Sequence, residues 1–126
     1  MRQLHALLLA PSHATLRYRG AWAMYVLILL LGSLPGARAE VGQVASGLIL
    51  HSTAYASIAF LLFTGGAGSA ARRACATVAT VALMGAADEF VQSFFPYRHA
   101  DVRDWMVDCS AAVLTVLVLV IALRRR

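Results

Sequence analysis

Apolar side chains along this chain gather into four stretches separated by short polar breaks. The first runs from about Gly20 to Leu34 and stops at Pro35-Gly36; the second runs from about Val44 to Thr64 and stops at Gly65-Gly66-Ala67-Gly68-Ser69. A third covers about Ala74 to Phe95 before Pro96, and a fourth about Trp105 to Leu123 before three arginines. A helical crossing of ~30 Å of hydrocarbon takes about 20 residues. Backbone amides in hydrocarbon must bond within their own segment, so each stretch is expected to be a helix. Short connections then make sequence neighbours antiparallel. The expected fold is all-α, an integral membrane bundle of four transmembrane helices. Residues 1–19 read as a cytoplasmic or interfacial leader and 20–126 as one transmembrane domain, with spans at about 20–35, 44–64, 74–95 and 105–123.

Composition narrows the classes further. Of 126 residues, 60% are hydrophobic and 13% charged, with a mean hydropathy of +0.72. Soluble domains run at roughly 45–50% apolar and about 25% charged, so an ordinary soluble enzyme is excluded. The net charge of +5 comes from eleven arginines without a lysine. They lie between apolar runs instead of forming a basic groove with aromatics, so no nucleic-acid partner is expected and the lipid bilayer is the expected surrounding. Eight arginines fall on one set of connections (Arg2, Arg17, Arg19, Arg72, Arg73 and Arg124 to Arg126) and three on the other (Arg38, Arg98, Arg103). The excess of positive charge on cytoplasmic loops places both termini in the cytoplasm and turns the first and third connections outward.

Arg17 and Arg19, an apolar stretch, Pro35-Gly36 and Ala37-Arg38-Ala39 also imitate a secretory signal peptide with a cleavage site after Ala39. Cleavage there leaves three spans in the same orientation. Cys75 and Cys109 fall near opposite faces of the bilayer, which speaks against a disulfide. With two thiols and no CxxC or Cys/His cluster, neither a metal site nor a cofactor is expected.

Ionisable residues inside the spans carry the functional signal, because each costs about 2.5–3.5 kcal/mol at a helix centre and so needs a partner or a role. They are His51, Asp88, Glu89 and Asp108, with Asp104 at the mouth of the last span. At 1.5 Å per residue, His51 lies ~10 Å below the outer end of its helix, Glu89 roughly 9 Å and Asp108 within ~6 Å. Tyr55 shares a face with His51 at i+4, and Gln92 follows Glu89 at i+3 and Asp88 at i+4. Three helices therefore bring polar groups to one layer in the outer leaflet, which suggests a pocket opening outward. The connection Pro96-Tyr97-Arg98-His99-Ala100-Asp101-Val102-Arg103 is short enough to fold over that layer, with Arg98 as the natural cation for Glu89, Asp88 or Asp108. Tyr97 and Trp105 read as interface-belt aromatics.

The third and fourth spans read Asp88-Glu89-x-x-Gln92-x-x-x-Pro96-x-Arg98-x-x-x-x-x-Asp104-x-x-x-Asp108. That string resembles the signature of the VanZ-like family, small membrane proteins named after a teicoplanin-resistance determinant. Ser33-Leu34-Pro35-Gly36 and His51-x-x-x-Tyr55 resemble the family's Ser-Leu-Pro helix exit and His/Tyr pair. The likeness covers about residues 20 to 115. The chain departs from the pattern at Gly47-Leu48, where members commonly carry Asp-Lys, at Asp108, where Asn is usual, and at Ala111, where Gly follows. Either Arg98 compensates for the missing cation alone or one carboxyl stays protonated.

The resemblance implies a multi-pass protein of the bacterial inner membrane in a cell-envelope or antibiotic-resistance context, without implying a settled reaction. The expected ligand is an amphiphilic envelope molecule, lipid-linked or cell-wall related. Arg98 and His99 would meet its phosphate or carboxylate and Gln92 would donate a hydrogen bond, with Asp88, Asp108 and Tyr55 completing the binding set. Catalysis would be general acid/base, with Glu89 as the acid or base and Asp104 or His51 orienting it. The alternative is a non-enzymatic assembly or transport factor whose polar layer is structural. Small residues along the third span, among them Ala79, Ala82, Gly85 and Ala86, could then serve homo-oligomerisation.

Overall fold

Short polar side chains fix where three of the helices start. In the computed structural model, which describes residues 9–37, 40 and 46–125, Ser46 Oγ accepts from the Ile49 amide at 3.4 Å and Ser69 Oγ from the Arg72 amide at 3.2 Å. The Asp101 carboxylate accepts from the Arg103 amide at 2.8 Å. Such caps satisfy amide groups that a helix start leaves open and contribute about 1 kcal/mol each. They open α2 (Gly47–Gly65), α3 (Ala70–Gln92) and α4 (Val102–Arg124). The first helix, α1 (Ala14–Ser33), follows a single 3-10 turn at Pro11–His13 and ends at Leu34, which turns extended ahead of Pro35.

No strand is present among the described residues, as the all-α reading expects. Length and composition make α2, α3 and α4 able to cross a membrane. α1 falls outside that set, because Arg17 and Arg19 in its opening turns dilute its apolar content. Residues Arg38 and Ala39, which carry the cleavage pattern, and residues 1–8 of the leader lie outside the described residues.

α2 is the central helix. It packs most extensively on α4 and on α1, while α3 packs chiefly on α4. His51 near the start of α2 touches residues near the start of α4, so these two run parallel. Trp105 near the start of α4 reaches Ala82 in the second half of α3, so that pair is antiparallel. The apolar core beneath holds Ala21 and Tyr25 of α1, Tyr55, Ile58 and Leu62 of α2, Val81 and Met84 of α3 and Ala112 of α4. Polarity is arranged inside out relative to a soluble protein. Asp88, Gln92 and Asp108 are buried, whereas Leu83, Phe90, Leu114 and Val118 are exposed. Only an apolar surrounding makes that distribution stable. Hydroxyls on lipid-facing turns close on their own helix, as Ser57 does on the Thr53 carbonyl at 2.8 Å and Ser110 on the Met106 carbonyl at 2.7 Å.

The end of the bundle opposite the polar layer is held by cations. Arg17 is buried and donates to the Thr64 carbonyl at 2.9 Å and the Ala10 carbonyl at 3.1 Å. Arg73 donates to the Phe63 carbonyl at 3.4 Å and lies 4.6 Å above the Phe63 ring. Both thus meet the carbonyl end of α2, where positive charge is favoured. This contact accounts for a helix start at Ala14, six residues before the Gly20 at which the apolar stretch begins: Arg17 belongs to the packed bundle. Gly65 permits the crossing, since a Cβ there would lie 2.6 Å from the Tyr18 amide nitrogen and 2.7 Å from the Ala14 carbonyl oxygen.

Arg17→Met should therefore lower the unfolding free energy in detergent by about 1.5–3 kcal/mol, the range for hydrogen bonds from charged donors. Arg19→Met, at an exposed neighbour on the same turn, should stay within about 0.5 kcal/mol. Equal effects in a chemical denaturation series would show that the guanidinium of Arg17 does not fasten α1 to α2.

Candidate functional site

The helix directions decide where the polar residues meet. His51 sits on the second turn of α2, Asp104 and Asp108 on the first two turns of α4, and Asp88, Glu89 and Gln92 on the last turns of α3. Parallel α2 and α4 with an antiparallel α3 bring all of them to one end of the bundle. The His51 imidazole is the hub: its Nδ1 lies 2.9 Å from Asp108 Oδ1 and its Nε2 3.6 Å from Asp104 Oδ2. Because the acceptor at hydrogen-bond distance among the described residues is the Asp108 carboxylate, the proton is assigned to Nδ1 and donated to Asp108.

One turn deeper the His51 and Tyr55 rings stack, with centroids 6.1 Å apart and planes within 8°. The Tyr55 hydroxyl donates to Asp88 Oδ2 at 3.3 Å, and Tyr25 from α1 donates to the Met84 carbonyl at 3.1 Å. Glu89 Oε2 accepts from the Asp101 amide at 2.7 Å, so the cap of α4 and the acid of α3 fix each other. Asp108 Oδ2, Glu89 Oε1 and Gln92 Oε1 are buried without a hydrogen-bond donor among the described residues. All three are acceptors, and buried acceptors without a donor are expensive in a low dielectric.

The third connection does fold over this layer. Tyr97 donates its hydroxyl to the Ser33 carbonyl at 2.6 Å, tying the connection to the end of α1. Arg98 reaches inward beside Gly32 and shares the wall of a cavity with His51, Tyr55 and Asp88. This cavity, about 250 Å³, lies between α1 and α2, and its remaining wall is largely apolar, with Ile28, Leu31, Leu50 and Ala54. His99 is exposed.

Of the residues singled out from the sequence, His51, Glu89, Asp104 and Asp108 converge, and Tyr55 and Asp88 form a second pair beside them. Arg98 joins the cavity wall and Gln92 is buried at the end of α3. Two contributors were not legible as such in the sequence. Trp105, read as a belt aromatic, donates its indole N–H to the Ala82 carbonyl at 2.9 Å. Gly85 allows α4 to approach so closely that a Cβ there would lie 2.9 Å from Asp108 Oδ2 and 3.1 Å from the Trp105 ring. Within the group expected from the sequence, His51, Glu89 and Asp104, one from each of α2, α3 and α4, each bring one ligand-type atom within 4.8 Å of the others.

Membrane-length helices arranged inside out around a buried polar layer define a polytopic membrane protein. A family model described as VanZ/LLP1 matches residues 5–123, and the chain belongs to the VanZ-like family. No curated protein and no solved structure matches it.

The close passage at Gly85 is open to test. Gly85→Ala should push Asp108 or Trp105 aside and lower stability by about 1–3 kcal/mol, the usual overpacking range. Ala86→Leu, one residue along on the exposed face, should fall within about 0.5 kcal/mol. Thermal melts of the two purified variants that coincide would contradict the packing described.

Proposed function

We propose that this chain is a four-span protein of the bacterial inner membrane, both termini cytoplasmic, whose polar layer opens outward and binds one end of an amphiphilic cell-envelope molecule. The observation that carries this reading is the cavity between α1 and α2, about 250 Å³, with apolar walls and a polar end formed by His51, Tyr55, Asp88 and Arg98. Its volume is below that of a typical site for a drug-sized ligand, so it suits a headgroup and the start of a chain while the remainder lies in the bilayer. The guanidinium of Arg98 matches a phosphate or carboxylate, and the hydroxyl of Tyr55 and the ring of His51 supply polar contacts. Acid/base chemistry on the bound headgroup would fall to Glu89, which the Asp101 amide orients and beside which His51 and Asp104 stand. Such a role fits an envelope or antibiotic-resistance context.

A second reading, an assembly or transport factor, draws on the exposed small residues Ala76, Ala79, Ala86 and Ala87 of α3. A surface of that kind favours close helix contact between copies.

Mass spectrometry of lipids extracted from the purified protein separates the two. Wild type should retain a phosphate- or carboxylate-bearing amphiphile, and Arg98→Ala and the cavity-filling Ala54→Phe should each lose at least ten-fold of it at unchanged membrane abundance. Equal retention in all three, with disulfide crosslinking between copies through cysteines introduced at 79 or 86, would favour the assembly role. Orientation has its own test. In a chain with Cys75 and Cys109 replaced by alanine, cysteines introduced at 40 and 100 should label from outside intact cells and one at 70 only after permeabilisation; the reverse pattern would invert the topology.

A further inference from the structure

Electron-pair donors converge on one point of the polar layer from three helices. Asp108 holds the Nδ1 side of the His51 ring at 2.9 Å, which turns the Nε2 lone pair toward Asp104. The separation there, 3.6 Å, is beyond hydrogen-bond range. It is the spacing of two atoms that share a metal ion, since ligands at about 2.0–2.2 Å from a tetrahedral centre lie roughly 3.3–3.6 Å apart. Glu89 turns a carboxylate oxygen into the same space, within 4.8 Å of both, and closes on a common centre by a side-chain shift of about an ångström. Independently of that grouping, Glu89 is nine-tenths buried and its Oε1 meets no donor among the described residues.

We infer that His51, Glu89 and Asp104 bind a divalent transition-metal ion, with Asp108 as the residue that orients the histidine. One imidazole and two carboxylates suit Zn²⁺ or Mn²⁺ and leave a coordination position open. The two carboxylates balance the charge of the ion, which is what allows it to sit in an apolar bundle. A ligating histidine almost always gives its other N–H to a carboxylate or carbonyl, which is the relation of His51 to Asp108. The site does not depend on the amphiphile proposed above, although His51 lines the cavity and the ion would border it.

Metal counting tests this directly. The full chain, purified in mild detergent, is stripped with EDTA, reloaded with Zn²⁺ or Mn²⁺, dialysed and measured by plasma mass spectrometry. Wild type should carry about one ion per chain, Glu89→Gln and Asp104→Asn at most one tenth of that, and Asp108→Asn should bind 10- to 100-fold more weakly. Because a variant in the layer could fail to fold, wild type is also melted with and without the ion: a midpoint raised by metal and returned by EDTA supports the site. Stoichiometry near zero in wild type, or unchanged in Glu89→Gln and Asp104→Asn of native helicity, overturns it, as does a wild-type midpoint indifferent to both ions. Lipid retention plays no part in either readout, so failure here leaves the amphiphile reading to its own test.

Discussion

The contact between His51 Nδ1 and Asp108 Oδ1 is the constraint from which the polar end of this bundle follows. Neither group is stable alone in an apolar interior, and an ionisable side chain at a helix centre costs about 2.5–3.5 kcal/mol before it finds a partner. Their meeting fixes α2 and α4 in parallel at one register and one rotation. A slip of one residue on either helix would swing its side chain by about 100° and leave the other group without its partner. Asp108, fully buried, gains its only hydrogen-bonded partner among the described residues from this geometry.

Other features answer to that register. Gly85 is the residue of α3 that lies under Asp108, and any side chain there would occupy the space of the carboxylate. Trp105, one turn before Cys109 on α4, can then reach the Ala82 carbonyl and hold α3 against α4. The stack of Tyr55 under His51 passes the constraint down to Asp88, while Tyr97 and the Asp101 amide draw the third connection over the top. At the far end Arg17 and Arg73 meet the terminal carbonyls of α2. The central helix is thus gripped at both ends, by a carboxylate at one and by guanidinium groups at the other.

Much of this was legible from residue spacing. The four apolar stretches and the common depth of His51, Glu89 and Asp108 follow from period and distance along a helix axis, while the likeness of residues 88 to 108 to a family signature rests on the identity and order of the residues themselves. Depth fixes only one coordinate, however. Which faces meet depends on rotation and on how closely backbones approach, and those rest on Gly65 and Gly85, where the neighbouring helix leaves no room for a Cβ. The same holds for Arg17, which counts in sequence as one of the cytoplasmic-side charges flanking the first span and is a buried anchor in the fold. The triad of His51, Glu89 and Asp104 is dispersed over 54 positions of the chain, counting from residue 51 to residue 104, and only the folded bundle assembles it.

The central claim is that these residues are energetically coupled and not merely near one another. A double-mutant cycle on His51→Ala and Asp108→Ala, read as unfolding free energy in lipid bicelles, measures that coupling most directly. The structure predicts a coupling of about 1–2 kcal/mol, near the upper end of what side-chain pairs between membrane helices reach, so the double variant should be scarcely less stable than either single one. Additivity to within about 0.3–0.5 kcal/mol would contradict the account, because the two side chains would then be stabilised by separate surroundings.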